Sequence, residues 1–295
     1  MQKQKSFDKE QIKGTLYLIP TPIGNLEDMS FRSIRMLKEV TLIASEDTRN
    51  TQKLLNHFEI QTPQISFHEH NYQERIPKLI EQLNRGESIG QVSDAGMPCV
   101  SDPGMDLVKA CIAEEIPVVS LPGPTAGLTA LIASGLVVQP FIFLGFLPRK
   151  KNEQKKFLQD YLSRQEAMIF YESPYRVKQT MMMFQEVFGS KRQVVICREL
   201  TKIHEEYLRG TVSEILSYLQ ENELKGECCL LLEGISKEEI DSQKEQEIAS
   251  WGEFSIVEHV DFIVETEEIS TNEAIKKVAK QREMKKQEVY KAFHQ

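Results

Sequence analysis

Residues 89–104 read IGQVSDAGMPCVSDPG, the densest concentration of site-like chemistry in the chain. A short apolar run, Ile89 to Val92, ends in a loop that carries Ser-Asp twice, Gly twice and Pro twice. Two short carboxylates, Asp94 and Asp102, flank it. Asp102-Pro103 has the form of a helix start, with Asp to cap free backbone N–H groups and Pro at the first helical position. Gly96 and Gly104 allow a ligand close to the backbone, or a positive φ. In an α/β sheet, such a loop lies at the carboxyl end of a strand, where ligands bind. An ordinary strand-to-helix turn is the plainer alternative, but it has little need of both Ser-Asp-Ala-Gly-x-Pro and Ser-Asp-Pro-Gly.

The elements that position this loop alternate in type. GTLYLI (14–19) and VTLIAS (40–45) read as buried strands with a helix over 30–38 between them. Ile76, Leu79, Ile80 and Leu83 share one helical face. Strands at 88–92 and 117–121 flank a helix at 105–114, the rhythm of a mostly parallel sheet covered on both faces. LPGPTAGLTALIASG (121–135) repeats the strand-turn-helix design with Pro124 entering the helix. The rhythm then restarts, with strands at 141–144, 167–171, 193–197 and 228–232 and helices at 152–163, 174–188 and 212–221. Segment 236–250 is charged and reads as a linker or exposed helix. Beyond it, Ile256, Val260, Ile263 and Val264 form a helical stripe, and Ser270-Thr271-Asn272-Glu273 is a capping box for a second helix. A third helix carries Val289, Tyr290 and Phe293. The expected organisation is a polar tail (1–13), two α/β domains (14–122 and 123–236) with a cleft between them, a linker (237–250) and a helical module (251–295). That module fits either a helix-turn-helix-like RNA binder or a docking bundle.

Composition narrows the class. A chain of 295 residues accommodates two domain cores. No apolar run is long enough to span a membrane, and the polar N-terminus lacks a signal-peptide pattern. Five cysteines without C-x-x-C spacing, two of them adjacent at 228–229, suit a reduced cytoplasmic protein. Net charge is −8, yet the acidity is concentrated. Residues 237–270 hold 2 Lys against 11 Asp/Glu, whereas 271–295 hold 7 Lys/Arg against 3 Glu. Arg149, Lys150, Lys151, Lys155 and Lys156 form a second basic cluster, so phosphate partners are not excluded.

Eight motifs occur in one family's order: LYLIPTPIGNLED (16–28), SEDTR (45–49), SDAGMPCVSDPG (93–104), LPGPTAG (121–127), GFLPRK (145–150), FYESPYR (170–176), RELTKIHEE (198–206) and GECCLLLEG (226–234). Together they resemble the ribosomal RNA small-subunit methyltransferase I family, a 2′-O-ribose methyltransferase branch of the tetrapyrrole methylase superfamily. The resemblance spans 14 to about 235, and the 251–295 tail is similar to that family's helix-turn-helix appendage. It implies a two-domain tetrapyrrole-methylase-like α/β fold with S-adenosylmethionine (SAM) in the interdomain cleft. It also implies a homodimer and a cytidine ribose in the decoding region of 16S rRNA as target. Pro20-Thr21-Pro22-Ile23-Gly24-Asn25 replaces the superfamily's Gly-rich turn, and Ser93-Asp94-Ala95 replaces Gly-Asp-Pro. Both departures are similar to the rRNA branch rather than to methylases of corrin or porphyrin precursors.

By that resemblance, Pro22, Ile23, Asp94, Met97, Thr125, Ala126 and Tyr171 contact SAM, with Asp94 accepting from its amino or hydroxyl groups. SAM carries an activated methyl, so the protein must align a nucleophile and help a ribose hydroxyl lose its proton. Candidates for that help are Lys202 and Glu199, close together after a strand, and Asp47. Lys202 serves as a base only if burial beside another cation strips its proton. Asp47 with Arg49, and Glu172 with Arg176, are equally readable as structural ion pairs. RNA contacts are expected from Arg49, Arg149, Lys150 and Arg176 on phosphates and from His70 and Asn71 on a flipped nucleotide. His68 and His70 do not form a metal cluster, so no metal is expected. Two alternatives remain: methylation of a tetrapyrrole precursor, and a non-catalytic nucleic-acid-binding protein with a regulatory ligand in the cleft.

Overall fold

Five short strands form an all-parallel sheet: β1 (Leu16–Leu18), β2 (Leu42–Ser45), β3 (Gln64–Ser66), β4 (Ile89–Val92) and β5 (Val118–Ser120), in the order β3-β2-β4-β1-β5. The structure is a computed structural model that describes residues 1–5 and 12–294, and the side chains of 243–247 and 249–250 are not part of that description. Residues 6–11 of the polar tail expected at 1–13 therefore lie outside the described residues. Helices α1 (Phe31–Glu39), α2 (Thr48–His57), α3 (Tyr72–Asn84) and α4 (Gly104–Ala113) connect these strands. The helices cover both faces. Leu37 and Leu55 pack with Ile19 and Ile43 on one side, and Leu79, Leu83 and Leu107 pack with Leu16 and Ile89 on the other. Every residue of β4 is buried, which is why IGQV shows no polar/apolar alternation.

After α5 (Ala126–Ser134), the second sheet contains β6 (Phe141–Phe146), β7 (Ala167–Glu172), β8 (Gln193–Arg198), β9 (Glu206–Thr211) and β10 (Cys228–Leu232). Its order is β6-β7-β10-β8-β9; β6 and β7 are parallel and the remaining pairs antiparallel. One face packs on α6 (Lys151–Gln159), α7 (Pro174–Phe188) and α8 (Val212–Glu221), with Phe170 and Phe184 among its fully buried side chains. The other packs on α5 through Ala130 and Leu131. Adjacent residues on a strand point to opposite faces, and Cys228 and Cys229 accordingly enter different cores. Elements β3, β9 and α2 were not among those read from the sequence. The second sheet is mixed rather than a repeat of the first.

The chain divides into two compact units, Met1–Gly234 and Ile235–Gln295. Both sheets belong to the first unit. We propose a subdivision of that unit between 122 and 123, since α5 packs on the second sheet. The second unit holds α9 (Lys237–Trp251), α10 (Ile256–Glu267), α11 (Thr271–Gln281) and α12 (Lys286–Phe293). Capping boxes start α9, α10 and α11 at Ser236/Glu239, Ser255/Glu258 and Ser270/Glu273. The segment 237–250 is thus helical. Val260, Ile263, Ile275, Val278 and Val289 form the unit's core. Arg282 lies over the Trp251 ring and donates from Nε to His259 Nδ1 at 3.0 Å. Among the described residues, no helix is long and apolar enough to cross a membrane.

Candidate active site

The loops after β1, β4 and β5 are tied together before they meet any ligand. Thr21 and Gly96 exchange two backbone hydrogen bonds of 3.0 Å, and Thr21 Oγ1 donates to the Ser93 carbonyl at 3.1 Å. Gly96 has φ +78, and a Cβ there would lie 3.2 Å from Ile23 Cγ2 and 3.3 Å from the Pro124 carbonyl. Glycine alone fits both demands. The three loops, together with the ends of β7, β8 and β10 nearest them, enclose a cavity of about 520 Å³. This lies at the carboxyl edge of the parallel sheet, where open α/β sheets bind ligands.

Five residues assigned by resemblance to the cofactor line this cavity: Ile23, Met97, Thr125, Ala126 and Tyr171. Tyr171 packs edge-on against Phe143 and Phe146. Its hydroxyl accepts from the Gly127 N–H at 3.2 Å, and burial raises its pKa. Thr125 is the N-cap residue of α5 but makes no side-chain cap bond, so the first turn keeps donor capacity beside the cavity. Pro22 and Asp94 are not in the lining. Asp94 is exposed and instead accepts from the Asp47 N–H at 3.0 Å and Asn50 Nδ2 at 3.2 Å, which ties the β4 loop to the start of α2. The walls also include Glu46, Asp102, Glu172, Cys197, Cys229 and Glu227, which the sequence reading did not place there. Position at a strand's carboxyl end is the signal that could have found Glu46. Burial pushes the Cys197 thiol up to about 12 and raises that of Cys229 further, so neither is a ready nucleophile.

The expectation of a deprotonated Lys202 is not met. Its Nζ lies between carboxylates, 2.8 Å from Glu199 Oε1 and 3.0 Å from Glu227 Oε2. Burial favours the neutral amine, but the two hydrogen-bonded carboxylates outweigh it and raise the pKa. The same contact with Lys202, followed by a 2.9 Å bond from the Glu227 N–H, lowers that of Glu199. Two glycines make room for this clamp. A Cβ on Gly24 would lie 2.5 Å from Lys202 Cγ, and one on Gly226 would lie 2.3 Å from Glu199 Oε1. Glu199 (φ 52) and Thr201 (φ 67) adopt left-handed backbone in the loop that carries Lys202, a conformation kept when surrounding structure enforces it. Lys202, Glu199 and Gly24 also border an open groove lined by Asn25, His57 and His204.

Asp47 is ill-suited to be a base. It caps α2 through the Arg49 N–H at 2.8 Å and grips the Arg49 guanidinium at 2.7 and 3.1 Å. Arg49 thereby holds its pKa at about 2. Arg176 is likewise engaged. It lies 3.5 Å from Glu172 Oε1 and donates to the carbonyls of Leu147 and Pro148 at 3.4 and 3.0 Å. Asn71 Nδ2 donates to Ser66 Oγ at 3.0 Å and its Oδ1 accepts from the His68 N–H at 2.9 Å, so it organises its own turn. Arg49, His70, Arg149 and Lys150 are exposed. No group of three or more potential metal ligands occurs among the described residues.

Residues 15–216 match the model of the tetrapyrrole (corrin/porphyrin) methylases. A ribosomal RNA small subunit methyltransferase I of Streptococcus pyogenes serotype M3 is 53% identical over 294 residues, covering 100% of this chain and 99% of its own. The protein of the same name from Bacillus subtilis is 48% identical, with the same coverage. Among solved structures, cobalt precorrin-4 methyltransferase aligns with a TM-score of 0.57 at 16% identity, covering 74% of this chain and 94% of its own. Uroporphyrin-III C-methyltransferase from Thermus thermophilus, complexed with S-adenosylhomocysteine, aligns with a TM-score of 0.55 at 16% identity, covering 75% and 97%. These two share the fold; the full-length relatives carry the closer kinship. The chain belongs to the ribosomal RNA small subunit methyltransferase I family, within the tetrapyrrole methylases.

Proposed function

We propose that this chain transfers the methyl group of SAM to the ribose 2′-hydroxyl of a cytidine in the decoding region of 16S rRNA, acting as a cytoplasmic homodimer on the small ribosomal subunit. The observation that carries the reading is the cavity, together with the name borne by relatives matched along the whole chain. Its volume of about 520 Å³ falls within the range of small-molecule sites. Ile23, Met97, Ala126 and Tyr171 offer apolar surface, and the first turn of α5 offers N–H donors and a positive dipole end to a carboxylate. These features fit an amino-acid-linked nucleoside such as SAM. Bound there, SAM would supply an electrophilic methyl on a sulfonium.

In this reading, the residues divide the remaining tasks. Segments 14–122 and 123–236 contribute opposite walls of the cavity. Lys202 acts as a fixed cation rather than a base: the ammonium held by Glu199 and Glu227 stabilises negative charge growing on the 2′-oxygen. The groove beside it, with Asn25, His57 and His204, gives the target nucleotide a path to the cavity wall. Exposed Arg49, His70, Arg149 and Lys150 meet the RNA backbone. Segment 271–295, with 7 Lys/Arg against 3 Glu, adds phosphate affinity. Methylation of a tetrapyrrole precursor leaves these basic groups without a purpose, and the corrin and porphyrin methylases align at an identity that speaks only for the fold.

The test is transfer of labelled methyl from SAM to small subunits isolated from a strain lacking this protein, followed by nucleoside mapping. A single 2′-O-methylcytidine is expected. Label on a base, on protein or nowhere on the subunit would overturn the proposal.

A further inference from the structure

Four carboxylates line the cavity, and three of them are already committed. Asp102 accepts from the N–H groups of Cys99 and Gly104, each at 2.8 Å, and from Gln91 Nε2 at 3.1 Å. Glu172 accepts from Thr180 Oγ1 and the Ser173 N–H, each at 2.9 Å, and faces Arg176 Nε at 3.5 Å. Glu227 holds Lys202 at 3.0 Å. Burial raises the pKa of Asp102 as well, but its three hydrogen bonds favour the charged form and occupy its oxygens.

Glu46 differs. Among the described residues it accepts one hydrogen bond, a long one of 3.3 Å from the Asp94 N–H. It immediately follows β2 at the carboxyl edge of the parallel sheet and lines the cavity. Burial raises its proton affinity most, and the charges of Asp94 and Asp102 from the β4 loop raise it further. The Asp94 N–H and His68, which follows β3, oppose that shift without reversing it. A carboxylate with spare acceptor capacity and a raised pKa takes up a proton more readily than Asp47, held at about 2.

We infer that Glu46 is the catalytic proton acceptor for the target hydroxyl, a role that rests on the methyl transfer proposed above. The ribose 2′-oxygen gives its proton to the Glu46 carboxylate as it forms the new C–O bond. The electron pair of the breaking S–CH₃ bond stays on sulfur. The products are a 2′-methoxy ribose, a neutral Glu46 carboxylic acid and the thioether S-adenosylhomocysteine, so atoms and charge balance.

The experiment compares wild type, Glu46→Gln and Glu46→Asp by single-turnover transfer to small subunits across pH, alongside calorimetric SAM affinity. Glu46→Gln keeps size and polarity; it should lower the rate by about 10²-fold or more while SAM affinity stays within threefold. The wild-type rate should fall on acidification as Glu46 takes up a proton. Glu46→Asp should recover part of the rate with that acid limb, whereas the residual rate of Glu46→Gln should lack it. A Glu46→Gln rate within threefold of wild type, or an unchanged acid limb, overturns the role. So does a tenfold loss of SAM affinity, which would make Glu46 a cofactor ligand. Failure of wild type itself to label the subunit would sink the methyl-transfer reading instead, and the Glu46 role with it.

Discussion

Replacing Lys202 by Met separates its charge from its bulk, because the aliphatic stem that crosses Gly24 is kept. Two contacts disappear, and they are unequal. The Glu199 carboxylate is 19% exposed, so its charge-assisted bond to Lys202 contributes about 1.5–3 kcal/mol. Glu227 is 78% exposed and its bond is screened by water, contributing about 0–1 kcal/mol. A stability loss of about 1.5–4 kcal/mol is therefore expected. Lys202 has a raised pKa in the fold, so its contribution is complete below the unfolded value and is lost as pH rises through the folded one. At neutral pH the loss is felt in full. If the ammonium also stabilises charge on the 2′-oxygen, single-turnover methyl transfer should fall about 10²-fold, equivalent to about 2.7 kcal/mol of barrier. Calorimetric SAM affinity should change less than threefold, since Lys202 does not line the cavity. Gly24→Ala supplies a second perturbation. Its Cβ would press within 2.5 Å of the Lys202 stem, displacing a charge that remains present. A comparable rate loss is expected from it. A Lys202→Met rate within threefold of wild type would refute the role.

Asp94→Ala removes acceptors for the Asp47 N–H and Asn50. Thermal unfolding should show a loss of about 0.5–1.5 kcal/mol, with SAM affinity nearly unchanged; a tenfold weaker SAM titration would restore a direct cofactor contact. Tyr171→Phe keeps the aromatic wall but deletes the acceptor for the Gly127 N–H. It should cost about 0.5–1.5 kcal/mol in stability, and SAM affinity measured on the same variant would show whether the freed N–H is refilled by ligand. Deleting 235–295 should leave a folded first unit that binds SAM, because both sheets and the cavity lie within 1–234. Subunit affinity should weaken and its salt dependence flatten; equal affinities and slopes for both proteins would mean that the tail does not bind RNA.

Much of the fold was legible because it rests on local patterns. The runs at 89–92, 167–172 and 228–232 are strands because apolar residues at those lengths fit buried pleats. Cys228 and Cys229 separate between two cores because a strand alternates its side chains. Ser270 and Glu273 start a helix because they satisfy its free N–H groups reciprocally. Strand β9, EYLRGT, has no such mark: it is polar and half-buried, and its identity comes from pairing along β8. The loops assigned to the cofactor by resemblance could be located along the chain, and Ile23, Met97, Thr125, Ala126 and Tyr171 meet at one cavity. Protonation states could not be read in that way. Lys202 stays charged partly because Glu227, 25 residues away, reaches its ammonium. Asp94 serves α2 because Asn50 lies across from it. Glu46 gains proton affinity from burial and from Asp94 and Asp102, groups brought near it by the parallel pairing of β2 with β4. A pKa depends on desolvation and on charges a few ångströms away, and the neighbours that set it were distant along the chain until the sheets formed.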